Sequence, residues 1–402
     1  MKVLIFTATV GNGHNATANV LKAKFEQSLG AEVKIVDAYK TYASWFYAWT
    51  LDKGYIFACN HLVPFYNYFF KKSEKSTPEN RNKTKAHNNT YPIAAGMLKE
   101  IMDFKPDLIV STYIFVSVAL NDLKNTYNIP AKIMTLTLDY GVSPYWECTN
   151  DFDYLFISGD YMKEDLLRRG FNEKQLYPLG IPIKDIFSTD IDKTKMRKEL
   201  GLDEKLFTLT IMKSGFFSIS DKKMMKELEK VKQKIQVVII NGKSGKNVEA
   251  FEKLIKKTTA PHIFHTIGFT DKVGEIFSAS DLILGKAGGL TVTEAITKGL
   301  PSLIVNKLPQ QEIYNKDYAI NNGCALEVNK KDTISKQIEF LLSNPDELEK
   351  MQQNCKKIRK LFVADKMMNI LKDIPAAKYE NLVSEEEPEV NRKIKTMLKK
   401  RS

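Results

Sequence analysis

KVLIFTATVGNGHNATANVLKAKF, residues 2–25, decides the fold class. Its first eight residues, Lys2 to Thr9, are β-branched and apolar, as in a strand buried on both faces. Gly11 and Gly13 break the run, and from Asn15 to Leu29 the residues Ala18, Leu21 and Phe25 recur at helical spacing. A strand, a glycine loop and a helix, then a second strand at Val33 to Asp37, begin a βαβ unit and so a parallel sheet. Further buried strands are expected at Asp107 to Ser111, Lys132 to Thr137 and Tyr154 to Ser158. After Gly180-Ile181-Pro182 a polar stretch reaches about Gly201, and the alternation restarts with apolar runs near Leu206, Val237, Ile263, Leu282 and Leu303. The expected class is α/β, with two Rossmann-like, doubly wound domains.

The chain of 402 residues is too long for one ordinary core, which agrees with two domains. No run approaches the roughly 18 apolar residues of a membrane-spanning helix, and the N-terminus enters a strand rather than a signal segment, so a cytoplasmic protein is expected. Cys59, Cys148, Cys324 and Cys355 lie far apart, which argues against a disulfide framework or zinc site. The net charge of +12 lies mostly beyond residue 180 and favours an anionic partner.

Three stretches carry chemistry. Gly11-Asn12-Gly13-His14 joins the first strand to the first helix, where unpaired backbone N–H groups attract an anion or a hydroxyl, and His14 can bind or remove a proton there. It lacks the third glycine of a dinucleotide fingerprint, and the glycines alone need only make a turn. Lys286-Ala287-Gly288-Gly289-Leu290-Thr291-Val292-Thr293-Glu294-Ala295 follows a strand and opens a helix. Paired glycines let a phosphate approach the backbone, Thr291 and Thr293 can cap or bond it, and Glu294 one turn on can accept both hydroxyls of a ribose. Read without function, it is a capped helix whose Glu294 complements the dipole. Pro309-Gln310-Gln311-Glu312 starts the next helix with amide and carboxylate groups suited to a polyhydroxylated ligand.

Two insertions remain. Between Tyr42 and Phe70 lie Trp45, Phe46, Tyr47, Trp49, Tyr55, Phe57, Phe65, Tyr66, Tyr68, Phe69 and Phe70, and Lys71, Lys72, Lys75, Arg81, Lys83 and Lys85 follow. Aromatics beside cations suit a membrane interface, although part of them also suits a core. From Ser384 the chain is first acidic and then basic.

With these motifs in view the chain resembles the monogalactosyldiacylglycerol synthase and processive diacylglycerol glucosyltransferase family. The resemblance rests on Gly11-Asn12-Gly13-His14, Lys105-Pro106-Asp107, Asp139 followed by Trp146, Gly180-Ile181-Pro182, Gly242-Lys243, Gly268-Phe269, and the stretches at Lys286 and Pro309. It implies a GT-B architecture: two Rossmann-like domains facing across a cleft, the acceptor held by the first and the nucleotide sugar by the second. It further implies inversion at the anomeric carbon, no cofactor and no bound catalytic metal. The family's Gly-Gln-Glu is Gln310-Gln311-Glu312 here, its glycine-rich turn is reduced to Lys213-Ser214-Gly215-Phe216-Phe217, and Ser143 stands where a histidine is usual. The expected organisation is an acceptor and membrane-facing domain at 1–185, a linker at 186–200, a nucleotide-sugar domain at 201–345, a helical segment at 346–374 and a mobile charged tail at 375–402.

An inverting transfer needs a base, for which His14 and Asp139 are the candidates, either able to orient or polarise the other as in a dyad. Donor contacts are expected from Gly13, Gly215, Lys286, Gly288, Gly289, Thr291, Glu294, Gln311 and Glu312, with Lys286 and the glycine-opened helix on the diphosphate. Membrane and acceptor contacts are expected from Trp45, Phe46, Trp49, Phe69, Phe70, Lys71 and Lys72. Asp151-Phe152-Asp153 has the form of a metal-binding D-x-D but leads into an apolar strand, which favours a strand-entry turn. The expected partners are UDP-glucose or UDP-galactose, diacylglycerol or glycosyldiacylglycerol, and an anionic membrane surface at the inner face of the cell membrane, with no nucleic acid. The alternatives are a UDP-N-acetylglucosamine-type epimerase or precursor glycosyltransferase on the same fold, and a non-catalytic nucleotide-sugar-binding membrane protein.

Overall fold

A computed structural model describes residues 1–10, 13–45, 49, 54, 57, 62–75, 90–213, 219–242, 245–305, 308–380, 382 and 385–400. The chain divides into two compact units. The first draws its described residues from Met1–Ala58, Pro64–Ile183 and Phe362–Ser402, and the second mainly from Lys184–Leu361.

The first unit is built on a parallel sheet of β1 (Lys2–Thr7), β2 (Glu32–Asp37), β3 (Leu108–Ser111), β4 (Lys132–Leu136), β5 (Tyr154–Phe156) and β6 (Leu176–Tyr177), in the order β2-β1-β3-β4-β5-β6. Strand β1 is buried along nearly its whole length because alternate side chains feed two cores. Val3 and Ile5 pack with Ala18, Leu21 and Phe25 of the helix Gly13–Leu29 and with Met367, Met368 and Leu371 of the helix Val363–Leu371. Leu4 and Phe6 pack with Ile93 and Met97 of the helix Tyr91–Phe104 and with Val116 and Leu120 of the helix Ile114–Tyr127. The helix Tyr91–Phe104 stops where Lys105 takes a left-handed φ of 53° before Pro106.

The last part of the chain corrects one expectation. Residues 375–402 were expected as a mobile tail, yet the helix Glu387–Lys400 buries Val390 and Ile394 completely in the first core. Ahead of it Ala377 N donates to Asp107 Oδ1 at 2.9 Å and the Tyr379 hydroxyl to the Pro106 carbonyl at 2.7 Å. Four-residue apolar spacing among the cations, Val390 to Ile394 to Leu398, turns a charged segment into an amphipathic one.

The second unit holds β7 (Thr208–Met212), β8 (Gln236–Ile240), β9 (Ile263–Ile267), β10 (Leu282–Gly285), β11 (Ser302–Val305) and β12 (Ala325–Val328), parallel in the order β12-β11-β10-β7-β8-β9. The expected linker at 186–200 is structured: the helices Asp185–Ser188 and Lys193–Glu199 bury Phe187, Met196 and Arg197. Arg197 donates to the carbonyls of Ala279 and Glu204, both at 2.9 Å, and to Asp281 Oδ2 at 2.6 Å. Asp281 also pairs with Lys193 at 2.7 Å and accepts from the Thr208 backbone N–H at 2.7 Å, so one carboxylate ties this segment to the start of β7 and β10. The helical segment expected at 346–374 divides: Pro345–Ile358 belongs to the second unit and Val363–Leu371 to the first.

In each sheet the chain reverses its direction of travel beside the first strand, between β1 and β3 and between β7 and β10. Ligands of open α/β sheets bind at such points, beyond the carboxyl ends of the strands.

Candidate functional site

In the first unit the loop after β1 leads to His14, near the start of the helix Gly13–Leu29, and Thr112 follows β3 across the switch point. The imidazole Nδ1 hydrogen-bonds the Thr112 carbonyl, and because a carbonyl only accepts, Nδ1 carries the proton. The Nε2 lone pair is therefore the one left for chemistry. Burial lowers the His14 pKa, opposed by the Thr112 bond, which keeps the ring neutral near physiological pH. Tyr113 packs edge-on against it, with ring centroids 5.0 Å apart.

A chain of hydroxyls and one amide holds this arrangement. Thr112 Oγ1 donates to Thr7 Oγ1 and Thr7 Oγ1 to Asn15 Oδ1, each at 2.9 Å. Asn15 Nδ2 donates to Thr9 Oγ1 at 3.0 Å, and the Thr9 hydroxyl donates to Asp37. These bonds tie the ends of β1, β2 and β3 to the helix bearing His14. The sequence reading missed Thr7, Thr9, Asn15 and Thr112; the signal was polar residues clustered at the ends of otherwise apolar strands.

Asp139 follows β4, two strands from β1, so its loop starts roughly 10 Å from that of His14 at the usual strand spacing. The partner of His14 Nδ1 is thus a backbone carbonyl rather than the carboxylate of a dyad. Asp151 accepts from Asn125 at 2.8 Å and from Asn121 at 3.3 Å. Asp153 binds Lys124 and Lys132, each at 2.7 Å, and the Ile133 N–H at 2.9 Å. Burial would raise the Asp153 pKa, but its two lysines hold it below the ordinary value. Both carboxylates are tied into a strand-entry turn, and among the described residues no group of three or more His, Cys, Asp or Glu is arranged to hold a metal.

In the second unit β10 ends at Gly285, Lys286-Ala287-Gly288 make the turn, and Gly288 caps the helix Gly289–Lys298. A Cβ built on Gly288 would stand 3.8 Å from Lys286 Nζ and 3.9 Å from Glu312 Oε1, ordinary contact distances. The fold itself tolerates a side chain there. Thr291 is partly exposed near the helix start, whereas Thr293 is buried and donates back to the Gly289 carbonyl at 2.7 Å, which removes it as a phosphate ligand.

Glu294 sits one turn into this helix with part of its surface accessible. Burial of the carboxyl pushes its pKa up to about 8, Lys184 pulling the other way. A folded pKa above the ordinary 4.5 means that ionisation opposes folding: the cost is absent below about 4.5, grows as the unfolded chain ionises first, and is complete above about 8. Glu294→Gln is therefore expected to unfold at a higher temperature than the parent, by a margin that widens from about pH 5 to about pH 8. A pH-independent margin in thermal unfolding would refute this.

Beside the turn, the helix Gln310–Asn321 starts after β11. Asn315, fully buried, donates to the Ala287 carbonyl at 2.9 Å and ties the two segments together. The Lys286 ammonium hydrogen-bonds Glu312 Oε1. Gln311 is partly exposed. Gly13 lies in the first unit, at the start of the helix that bears His14; Gly215 falls outside the described residues. A separate cavity of about 330 Å³ lies by Leu202, Val238, His265 and Ile276, away from either switch point.

A second feature lies on the surface of the helix Val63–Lys75. Phe65, Tyr68 and Phe69 are 62%, 62% and 45% exposed and recur with Lys72 at helical spacing, so this face shows aromatics to solvent. Phe65 and Phe69 stack edge-on at 4.6 Å. Trp45 and Trp49 are exposed, as are Lys71 and Lys72. Phe70 is buried, a correction to its expected membrane role, because it points from the opposite face of the helix; Phe46 falls outside the described residues. No helix among the described residues is long and apolar enough to cross a membrane.

The sequence profile of monogalactosyldiacylglycerol (MGDG) synthase matches residues 14–183, and that of glycosyl transferases group 1 matches residues 193–358. Processive diacylglycerol beta-glucosyltransferase of Bacillus pumilus is 27% identical over 93% of this chain and 94% of its own length. Monogalactosyldiacylglycerol synthase 3 of Arabidopsis thaliana is 24% identical over 92% and 80%. Among solved structures, Acinetobacter baumannii MurG has a TM-score of 0.60 at 13% identity, covering 92% of this chain and 99% of its own. UDP-GlcNAc 2-epimerase from Neisseria meningitidis gives 0.59 at 15% identity with the same coverage, a likeness of fold. With one parallel, helix-flanked sheet in each unit, the chain is at family level a match to the monogalactosyldiacylglycerol synthase and processive diacylglycerol glucosyltransferase group of GT-B-like glycosyltransferases.

Proposed function

We propose that the protein is an inverting hexosyltransferase that moves glucose or galactose from a UDP-sugar to diacylglycerol or a glycosyldiacylglycerol, working as a peripheral protein on an anionic membrane at the inner face of the cell membrane. The observation that carries this reading is His14 at the first switch point, neutral and held through Nδ1 by the Thr112 carbonyl with Nε2 left to act as base. His14 Nε2 takes the proton of the acceptor hydroxyl as that oxygen attacks the anomeric carbon; the bond from that carbon to the nucleotide diphosphate breaks on the opposite face, and the configuration inverts. Asp139 serves the acceptor side. The open turn at Gly288 and Gly289 offers backbone N–H groups and the positive end of a helix dipole to the diphosphate, with Thr291 beside it. Glu294, its carboxyl pushed up to about 8 by burial, has two oxygens to offer the two hydroxyls of a ribose, both accepting when ionised and one donating when protonated. Gln311 and Glu312 read the hexose.

Two acyl chains keep the acceptor in the bilayer, since each CH₂ exposed to water costs about 0.8 kcal/mol. Phe65, Tyr68, Phe69, Trp45 and Trp49 meet the interface while Lys71 and Lys72 meet anionic headgroups, which favours a lipid acceptor over an epimerase. The test is product analysis after incubation with labelled UDP-glucose or UDP-galactose and vesicles containing diacylglycerol. Labelled glycosyldiacylglycerol is the expected product; UDP binding without lipid product would leave the non-catalytic reading instead. Phe65→Ser with Phe69→Ser is expected to reduce vesicle flotation at least about tenfold, and Lys71→Gln with Lys72→Gln to remove its salt dependence. Flotation unchanged by either pair would remove this face from the interface.

A further inference from the structure

The pairing of Lys286 with Glu312 sets two demands that a diphosphate does not meet. Lys286 lies in the turn after β10 and Glu312 in the first turn of the neighbouring helix, and their side chains are only 17% and 10% exposed. The ammonium is already bonded to Glu312 Oε1, which offsets its charge and leaves a phosphate only its remaining N–H groups, beside a carboxylate that repels it. Glu312 Oε2, on the same carboxylate, is shielded from water and has no hydrogen-bond partner among the described residues. Gln310 Oε1, two residues earlier, is in the same condition, and Gln310 and Glu312 are 6% and 7% exposed.

Both orphaned atoms are acceptors. Phosphate oxygens at neutral pH are acceptors too and repel them, whereas sugar hydroxyls are donors. Buried acceptors without donors oppose folding, and a ligand that supplies O–H groups relieves them. The pair lies directly over the Gly288 turn, where a Cβ would be within 4 Å of both partners, and Asn315 fixes the helix to the turn through the Ala287 carbonyl. The carboxylate is thus held at two removes, by Asn315 through the backbone and by Lys286 through its charge.

We infer that Lys286 is a positioning residue rather than a diphosphate ligand: it fixes Glu312 so that Oε2 accepts a hydroxyl of the transferred hexose, with Gln310 Oε1 as a second acceptor. This replaces the diphosphate role expected for Lys286 and rests on the donor site lying at this turn. It also gives the glutamine that stands in place of a glycine a use, because it adds an acceptor where hexose hydroxyls are read.

The test compares UDP with UDP-glucose and UDP-galactose by calorimetry, which needs no turnover, and then measures donor KM and kcat with diacylglycerol vesicles. Lys286→Met is expected to leave UDP affinity within about twofold of the parent while weakening the preferred UDP-hexose at least about tenfold and raising its KM more than it lowers kcat. Lys286→Arg should restore most of the hexose affinity. Glu312→Gln should match Lys286→Met, and the double variant should be no worse than either, as for two groups acting as one. Thermal unfolding of each variant separates these effects from misfolding, and Lys286→Arg with Glu312→Gln keeps the comparison open if Lys286→Met does not fold. Equal losses for UDP and UDP-hexose would overturn the inference and return Lys286 to the diphosphate. A parent protein that binds UDP-hexose but makes no glycolipid would defeat the proposed transferase while leaving the inference standing; one that binds neither nucleotide defeats both.

Discussion

His14→Ala is expected to lower turnover by about 10²- to 10⁴-fold, the usual contribution of a general base, with UDP affinity within about twofold of the parent. The separation follows from position: His14 belongs to the first unit, while the glycine turn and Glu294 belong to the second. The substitution leaves the Thr7, Thr9, Asn15 and Asp37 bonds in place, so the loss is chemical rather than structural. A pH profile adds a signature. Burial holds the imidazole pKa below its ordinary 6.5, so the rate should persist on the acid side of that value and fall only as the folded-state pKa is crossed. Steady-state assays with saturating donor measure both. A loss of only a few fold would move the role to Asp139, and Asp139→Ala is the matching control.

Asp281→Ala is expected to destabilise the protein by about 3–5 kcal/mol, the usual cost of removing one partner of a buried ion pair. Arg197 would remain 95% buried with its carboxylate gone, Lys193 would lose a 2.7 Å partner, and the Thr208 N–H at the head of β7 would lose its acceptor. Replacing both members, as Arg197→Met with Asp281→Leu, should cost much less, because no uncompensated charge is left inside. Thermal unfolding of the three proteins reads the contrast, and equal losses for the single and double changes would show that packing rather than charge dominates at this point.

Long apolar strands were legible in the sequence because a parallel strand buried on both faces has little room for polar residues: β1, β3, β4, β8 and β10 fall where the apolar runs predict them. Of the four edge strands, β2 and β9 were legible too, but β6 and β12 were not. Strand β6 has two residues, and Ala325-Leu326-Glu327-Val328 carries a charge on a half-exposed face, so neither makes a run long enough to read. At the site, glycines and charged residues were visible as types, but their pairings were not. Nothing local reveals that Lys286 meets Glu312, 26 residues on, or that His14 is oriented by a carbonyl 98 residues away. Thr293 misled for a physical reason: a hydroxyl inside a helix can satisfy itself on the carbonyl four residues back. The tail misled because a high density of lysine masks the apolar stripe of Val390 and Ile394.

The return of residues 362–400 to the first sheet makes order of synthesis differ from order of completion. The helix Gly13–Leu29 leaves the ribosome early, yet the helix that covers part of its apolar flank, through Val363, Met367, Met368 and Leu371, follows only after the entire second unit. At about 5–20 residues per second, the intervening stretch of Lys184–Leu361 takes on the order of ten to forty seconds to translate. Ala18, Leu21 and Phe25 therefore gain the cover of Met367, Met368 and Leu371 only after every residue of the second unit has been made.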